Sequence, residues 1–506
     1  MAGQDDDGNA MKIYFLNPPF HPHFSRSERS PQVAKSRTLY YPVWLAQAAA
    51  IVEQAGAEIA LLDAIADGRS LADCLTWIRD GAPDLVVIET TTASMGRDME
   101  SVRTMRAAFP DLQILFVGSH VSALPEETLR QCPELDGVVR GEYETPLVEL
   151  VAARFQGQGM ENVRGLSFRQ RKGTAETIRH NPDAELLRDL DDIPAVAPIY
   201  KRFLHHRNYF FSPAHFPGVM LMTGRGCPHR CAWCVFNQTL HGRRYRFHST
   251  QRILEEFEYI IAHFPDVKEV WIDDDTFTVH RAHVLEICQG IIDRKLRFQN
   301  HPFRWYCNAR PPLDGETMLR MRQAGCRLMV TGFESGSPEI LKQINKGFTV
   351  EAAETFMANA RRAGLLVHGC FVVGNPGETP QSMEQTLAFA KRLLPDSAQF
   401  YFVHPYPGTD YYRWAQENHL LTETDFDRWL DPQGQHRCVI TLPQVTADQL
   451  TAFCNRAYKE YHFSGPYLRM KLKQLITQPS EGFRSLHSAF HFLRDSWLRR
   501  PHASHP

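Results

Sequence analysis

The sequence predicts an α/β protein of two sheet-based units. An N-terminal doubly wound parallel sheet of Rossmann-like layout is followed by a partial (β/α)6 barrel and a helical C-terminal region. Three observations carry this. Short apolar runs alternate with amphipathic stretches in two separate blocks, before residue 158 and after residue 217. Between the blocks lies a mixed stretch containing the proline-bearing connection DDIPAVAPIY. Polar and glycine-bearing motifs follow the apolar runs, at the strand ends where such folds keep their chemistry.

The 506 residues allow two to four domains. With 43% hydrophobic and 23% charged residues, the composition is that of a globular protein. A net charge of −2 gives no reason to expect nucleic acid as a partner. No apolar run is long enough to span a membrane. The start, MAGQDDDGNA, lacks a signal-peptide core and reads as a disordered tail over 1–10, so a cytoplasmic location with reduced thiols is expected.

In the first unit, 11–157, strands are expected at 12–17, 58–63, 84–89, 113–118 and 136–141, with helical patterns such as 42–55 and 97–109 between them. A ligand of such a sheet sits beyond the carboxyl ends of its strands. Those ends carry Asn17-Pro18-Pro19, then Thr91, Thr92 and Ser94, then Gly118 with an exposed His120, then Gly141-Glu142-Tyr143. Hydroxyls and small residues on one edge suit a large polar cofactor. The absence of GxGxxG after the first strand disfavours a dinucleotide. Residues 158–217 read as a small hairpin and a linker.

The barrel, 218–439, is expected to place strands near 218–223, 268–273, 303–308, 327–333, 367–373 and 398–403. Directly after the first comes Cys227-Pro-His-Arg-Cys231-Ala-Trp233-Cys234, the one tight cluster among eleven cysteines. Three thiolates can hold three corners of a four-iron cluster and leave the fourth iron open. A zinc knuckle that borrows His229 or His241 is the competing reading, and a redox pair needs only two cysteines. The later ends carry Asp273-Asp274-Asp275, then Asn308 and Arg310, then Thr331-Gly-Phe-Glu334-Ser335-Gly-Ser337, then Gly374-Asn-Pro376-Gly377, then His404-Pro-Tyr-Pro-Gly408-Thr409. The acidic triplet also reads as a solvated turn. Residues 440–506 are expected to be helical. Within them, 464–506 hold seven Lys or Arg against two Asp or Glu, with Phe483, Leu486, Phe490, Leu493 and Trp497 on one stripe. That stripe either packs on the barrel or forms a basic amphipathic surface for a lipid or an acidic partner.

CxxxCxxC with an aromatic residue before its last Cys, together with the GxESGS segment, resembles the radical S-adenosylmethionine (SAM) enzymes. NPP after the first strand, YPVWLAQAAAIVEQAG, LLDA, GSHVSALPEETL and VVRGEYETPLVEL resemble the cobalamin (B12)-binding domain found ahead of many such barrels. The resemblance implies a [4Fe–4S] cluster on Cys227, Cys231 and Cys234, with SAM chelated by the open iron and cleaved to a 5′-deoxyadenosyl radical. It implies SAM contacts from Trp233, Asp273, Asp275, Asn308, Arg310, Glu334, Ser335, Gly374 and Pro376. It also implies cobalamin contacts from Asn17–Pro19, Thr91, Thr92, Ser94, Gly118, His120, Val121 and Gly141–Tyr143. DxHxxG is missing, so the cofactor is expected without an axial His; a degenerate domain that binds none is the other reading.

Two chemistries stay open from the resemblance: methylation of a carbon or phosphorus of a secondary-metabolite or lipid-type substrate, and a B12-assisted rearrangement, ring contraction, cyclisation or oxidation. SRSERSPQVAKSRTLYYPVWLAQ is similar to a subgroup that includes a hopanoid ring-contraction enzyme. A flavodoxin or ferredoxin would supply the electron. A non-enzymatic iron–sulfur carrier or sensor is the alternative. If the enzyme reading holds, the two strand-end edges face one another. Asn17–Pro19, Thr91–Ser94 and His120–Val121 would then form one wall, with Asp273, Arg310 and Glu334 on the other.

Overall fold

A computed structural model describes residues 10–172, 175–482 and 484. Of the tail expected over 1–10, residues 1–9 lie outside the described residues, and so does the whole C-terminal stripe from Phe483 to Trp497. The first sheet contains β1 (Lys12–Asn17), β2 (Glu58–Asp63), β3 (Leu85–Glu89), β4 (Gln113–Val117) and β5 (Gly137–Val139), all parallel, in the order β2-β1-β3-β4-β5. Strand order reverses around β1, which opens the crevice where ligands of doubly wound sheets bind. Successive residues feed opposite faces. Ile13, Phe15, Leu85 and Val87 enter one core, while Tyr14, Leu16, Val86 and Ile88 enter the other. Burial on both faces explains the unbroken apolar runs.

The hairpin expected in the linker does more than connect. Its strands β6 (Leu166–Lys172) and β7 (Ala175–His180) add antiparallel to β5 and make the sheet seven-stranded. The physical reason is that β5 has three residues and would otherwise leave an open edge.

The second sheet runs β8 (Gly218–Leu221), β11 (Glu269–Ile272), β12 (Trp305–Ala309), β13 (Cys326–Glu334), β14 (Leu366–Val373) and β15 (Ser397–Phe402). Every neighbouring pair is parallel and in sequence order, the pattern of an incomplete barrel. A two-stranded ribbon, β9 (Gly224–Arg225) with β10 (Arg246–Phe247), brackets the cysteine loop. Thr250–His263, capped by Ser249, and Val350–Ala363, ended by Gly364 at φ 71°, are typical of the outer helices.

The inner core is continuous between the two units. The helix Val43–Gln54 buries residues on nearly every side, as a helix does when it is sandwiched between layers. Tyr41 stacks on Tyr209 at 4.0 Å and its hydroxyl donates to the Gly218 carbonyl (2.8 Å), so the first unit is bolted to the start of the barrel. The helix Ala447–His462 covers the β14–β15 side through Leu450, Phe453 and Ala457. The last described full helix, Gly465–Thr477, leaves Leu468, Leu472 and Ile476 exposed. No described helix is long and apolar enough to cross a membrane.

Candidate functional site

The cysteine loop leaves β9 through Gly226, whose φ of 80° and closeness to the Arg244 carbonyl exclude a side chain. Its carbonyls are gathered by one amide: Gln238 Nε2 donates to the oxygens of Ala232 and Cys234 at 3.1 Å and of Cys231 at 3.4 Å. Cys227 is buried, while Cys231 and Cys234 are partly exposed. Burial, aided by Asp275 and the two neighbouring thiols, pushes the Cys234 thiol up to about 12, so a metal must displace its proton.

Among the described residues no three His, Cys, Asp or Glu side chains are drawn into the tight cage of a single ion, these thiols included. His241, the zinc alternative, is turned to Asp275 (3.1 Å) and lies against Trp44 at 4.4 Å. His229 is held down to about 4 by partial burial and by Arg310 and Lys346.

The three aspartates after β11 do different work. Asp274 is buried and accepts from the Thr223 N–H and hydroxyl, both at 2.6 Å; burial pushes its carboxyl up to about 7. Asp275 is buried too, which by itself would raise it. His241, Arg29 and the Gly226 N–H (3.0 Å) overcome this and hold it at about 2. Asp273 takes Asn308 Nδ2 at 2.9 Å and Arg29 at 3.2 Å. The triplet is therefore not a solvated turn: each carboxylate has a fixed partner inside the protein.

Arg310 is buried with its guanidinium on the Lys346 carbonyl and 5.4 Å from the Phe348 ring; the nearby thiols of Cys231 and Cys227 act on it. Glu334 ends β13 at φ 63°, a left-handed backbone rare for a residue with a side chain, and its carboxylate meets Lys346 Nζ at 2.7 Å. Lys346 also lies 5.9 Å from the Trp233 ring. Ser335 is fully buried, bonding Thr386 Oγ1 (3.0 Å) and the Ser337 N–H (3.1 Å). Gly374, at φ 89°, has its carbonyl tied by Tyr411, and Pro376 follows it half-buried.

On the first sheet, Asn17 is buried with its Oδ1 unpaired, and the Tyr143 hydroxyl is also buried and unpaired. Pro18 offers its carbonyl to Arg26 at 3.0 Å, and Pro19 stands half-buried beside it. Thr91 and Ser94 pair at 3.1 Å, and Ser94 donates to Asp98 at 2.6 Å. Gly118 sits at φ 117° against the Thr90 carbonyl, where a Cβ would collide. A Cβ on Gly141 would meet nothing within 4 Å. Orphaned amide and hydroxyl groups beside open backbone fit the amide-fringed rim of a corrin.

Three expectations change. His120 is not exposed: it is 3% accessible, bonded to Thr92 Oγ1 at 3.2 Å, and burial lowers it to about 3, so it is neutral. Val121 is fully buried in the sheet's outer core. The Glu142 carboxylate is taken by Arg246 at 2.6 and 2.8 Å, and Arg225 approaches at 3.5 Å.

The two strand-end edges face each other. Residues 18–41, between β1 and its helix, cross to the barrel mouth, where Arg29 bonds Asp273 and the carbonyls of Asp273 and Asp274 at 2.9 Å. On the other flank His120 packs on Phe426 at 5.1 Å, and the Gly96 N–H donates to Asp427 at 3.1 Å. Arg29 and Lys346 had no motif to announce them. Arg29 lies 244 residues from its partner, and the signal available was only a basic residue in an otherwise unexplained loop.

A parallel barrel with a three-thiol loop at its mouth, roofed by a doubly wound sheet with an amide-seeking edge, defines a class: iron–sulfur barrel enzymes coupled to a corrinoid-type domain. Known proteins agree. The Radical SAM superfamily model matches residues 221–390, and the B12 binding domain model matches residues 29–151. The chain is 30% identical over 435 residues to an uncharacterized methyltransferase of Pyrococcus horikoshii, covering 85% of this chain and 88% of that protein. It is 24% identical over 474 residues to an anaerobic magnesium-protoporphyrin IX monomethyl ester cyclase of Rubrivivax gelatinosus, covering 91% and 80%. The fold matches that of the radical SAM methyltransferase TsrM from Kitasatospora setae, solved with cobalamin and a [4Fe–4S] cluster. There the TM-score is 0.68 and the identity 17%, over 97% of this chain and 100% of that one. The chain belongs to the radical SAM superfamily, in its cobalamin-binding branch.

Proposed function

We propose that the protein is a cobalamin-dependent radical SAM methyltransferase acting on a small or lipid-type substrate held between the two facing edges. When bound, the cluster and SAM supply a carbon radical and cobalamin supplies a transferable methyl group. The chain's own residues orient and enclose. Cys227, Cys231 and Cys234 would bind the cluster. Asp273, Asp275, Asn308, Arg310, Glu334 and Gly374, with Trp233, Ser335 and Pro376, would hold SAM. Asn17–Pro19, Thr91–Ser94, Gly118, Gly141 and Tyr143 would seat cobalamin. The division is a cobalamin-binding domain over 11–157, a linker over 158–217 whose hairpin seals the sheet, a barrel over 218–439 and a helical region over 440–506. A flavodoxin or ferredoxin would reduce the cluster in the cytoplasm.

The observation that carries this reading is Arg29. It brings the loop after β1 onto Asp273 and so holds the cobalamin edge over the cluster loop. Enclosure matters because a primary carbon radical is quenched by any accessible hydrogen donor. The reconstituted holoenzyme under low-potential reductant should form both 5′-deoxyadenosine and S-adenosylhomocysteine. Ala at Cys227, Cys231 or Cys234 should abolish 5′-deoxyadenosine and cut bound iron to background. The cyclase relative favours a second reading, a B12-assisted rearrangement. Formation of 5′-deoxyadenosine with no S-adenosylhomocysteine would select it.

A further inference from the structure

At the end of β15 stands a group that none of the cofactor contacts uses. His404 is 6% accessible, and neither of its ring nitrogens has a partner. Its ring lies 3.6 Å from that of His436, at 72°. His436 Nε2 meets the Tyr406 hydroxyl at 2.9 Å, while its Nδ1 is buried and unpaired. The Val403 and Ser30 backbones act on the two rings as hydrogen-bond acceptors, yet neither nitrogen of His404 nor Nδ1 of His436 completes a well-formed bond, and such nitrogens are costly to bury unless a guest pairs them. The walls are aromatic, with Trp429 at 5.6 Å and Phe402 at 5.7 Å from His404.

The location lies between the two cofactor edges. On one side the Tyr406 hydroxyl reaches Ser30 Oγ at 3.5 Å, next to the Arg29 that holds Asp273. On the other, Trp429 packs on Phe426, and Phe426 on His120, each at 5.1 Å.

We infer that His404, with His436, is the substrate-recognition pair, and that it hydrogen-bonds a protic O–H or N–H group on an uncharged, ring-containing substrate. This rests on the reading that substrate sits between the two edges, and it goes further by naming the substrate's class. Burial keeps both rings neutral, His404 at about 3 and His436 well below its usual value. A neutral imidazole offers one donor and one acceptor and no charge. Arg29, the cation beside Ser30, is already paired with Asp273 and Asp275, so a phosphate or carboxylate would enter without a counter-charge, whereas a phenol, an alcohol or a ring N–H would find its proton matched.

The test uses full-length protein with cluster and cobalamin loaded, and three probes: 2-naphthol, 2-methoxynaphthalene and 2-naphthyl phosphate. Calorimetry should show 2-naphthol binding at least tenfold more tightly than either of the others. His404→Phe, which keeps the ring packing, should erase that preference while bound iron and cobalamin stay at wild-type content; His404→Gln should restore part of it. Equal binding of the three probes, no binding of 2-naphthol, or a preference that survives both His404→Phe and His436→Phe would overturn the inference. If both variants lose their cofactors, the probe ranking on the wild-type protein decides. SAM cleavage is assayed on the same wild-type sample. Cleavage without probe discrimination sinks this inference alone, and absent cleavage sinks the radical SAM reading instead.

Discussion

Asp274 shows how one residue type does unlike work at adjacent positions. Its neighbour Asp275 is held ionised at about 2, whereas Asp274, among Thr223 and apolar strand ends, is pushed by burial to about 7. In the unfolded chain an aspartate titrates near 3.9. Below about pH 4 Asp274 is protonated in both states and costs nothing. As pH rises from 4 toward 7 the folded state keeps a proton that the unfolded state releases, so stability falls, by at most about 1.4 kcal/mol per pH unit. Asp274→Asn removes this titration. Thermal midpoints of the two proteins compared at pH 5 and pH 7 should show the wild type losing more than the variant on going to pH 7. Identical losses would mean that Asp274 is ionised throughout.

At the scale of the element, strand ends decide the chemistry, and Gly118 is the clearest case. It ends β4 at φ 117° and ψ −177°, a conformation essentially closed to residues with a Cβ, and it touches the Thr90 carbonyl. Gly118→Ala should cost about 1–3 kcal/mol in backbone strain and push Thr90 out of line. Bound cobalamin should drop severalfold while iron content stays unchanged; parallel losses of both would point to global unfolding. Elements of this kind were legible in the sequence. β1 and β2 match their expected limits, and the other parallel strands fall within about two residues, because strands buried on both faces must be continuous apolar runs. The cysteine loop was legible because its ligands are local. Glu142 and His120 were not. Their exposure depends on Arg246 and Phe426, which arrive from the barrel side and leave no trace in the local pattern.

At the scale of the molecule, the domains are joined by a buried charge cluster. Arg225, 1% accessible, lies on Glu144, reaches Gln47 at 2.7 Å and stacks 5.1 Å from Trp44. Removing one partner of a buried pair strands the other, at about 3–5 kcal/mol. Arg225→Leu should therefore loosen the seam and open the connection around residues 182–196 to protease. Arg225→Leu with Glu144→Gln should recover part of the loss, because the stranded charge is gone. Equal cleavage of wild type and single variant would show that the seam rests on apolar packing alone.

The passage of residues 18–41 into the barrel mouth also bears on how the protein is made. The N-terminal sheet leaves the ribosome first and carries the arm with it, yet Arg29 finds Asp273 only after 244 more residues have emerged. Closing so long a loop comes late. Until then the arm has no carboxylates to meet, and the thiol loop lies uncovered. Cluster insertion thus has a window during maturation, between completion of the barrel and docking of the arm. Docking narrows the way to the thiols without closing it, since Cys231 and Cys234 keep partial exposure beneath the docked arm, so order as much as affinity bears on how readily iron enters.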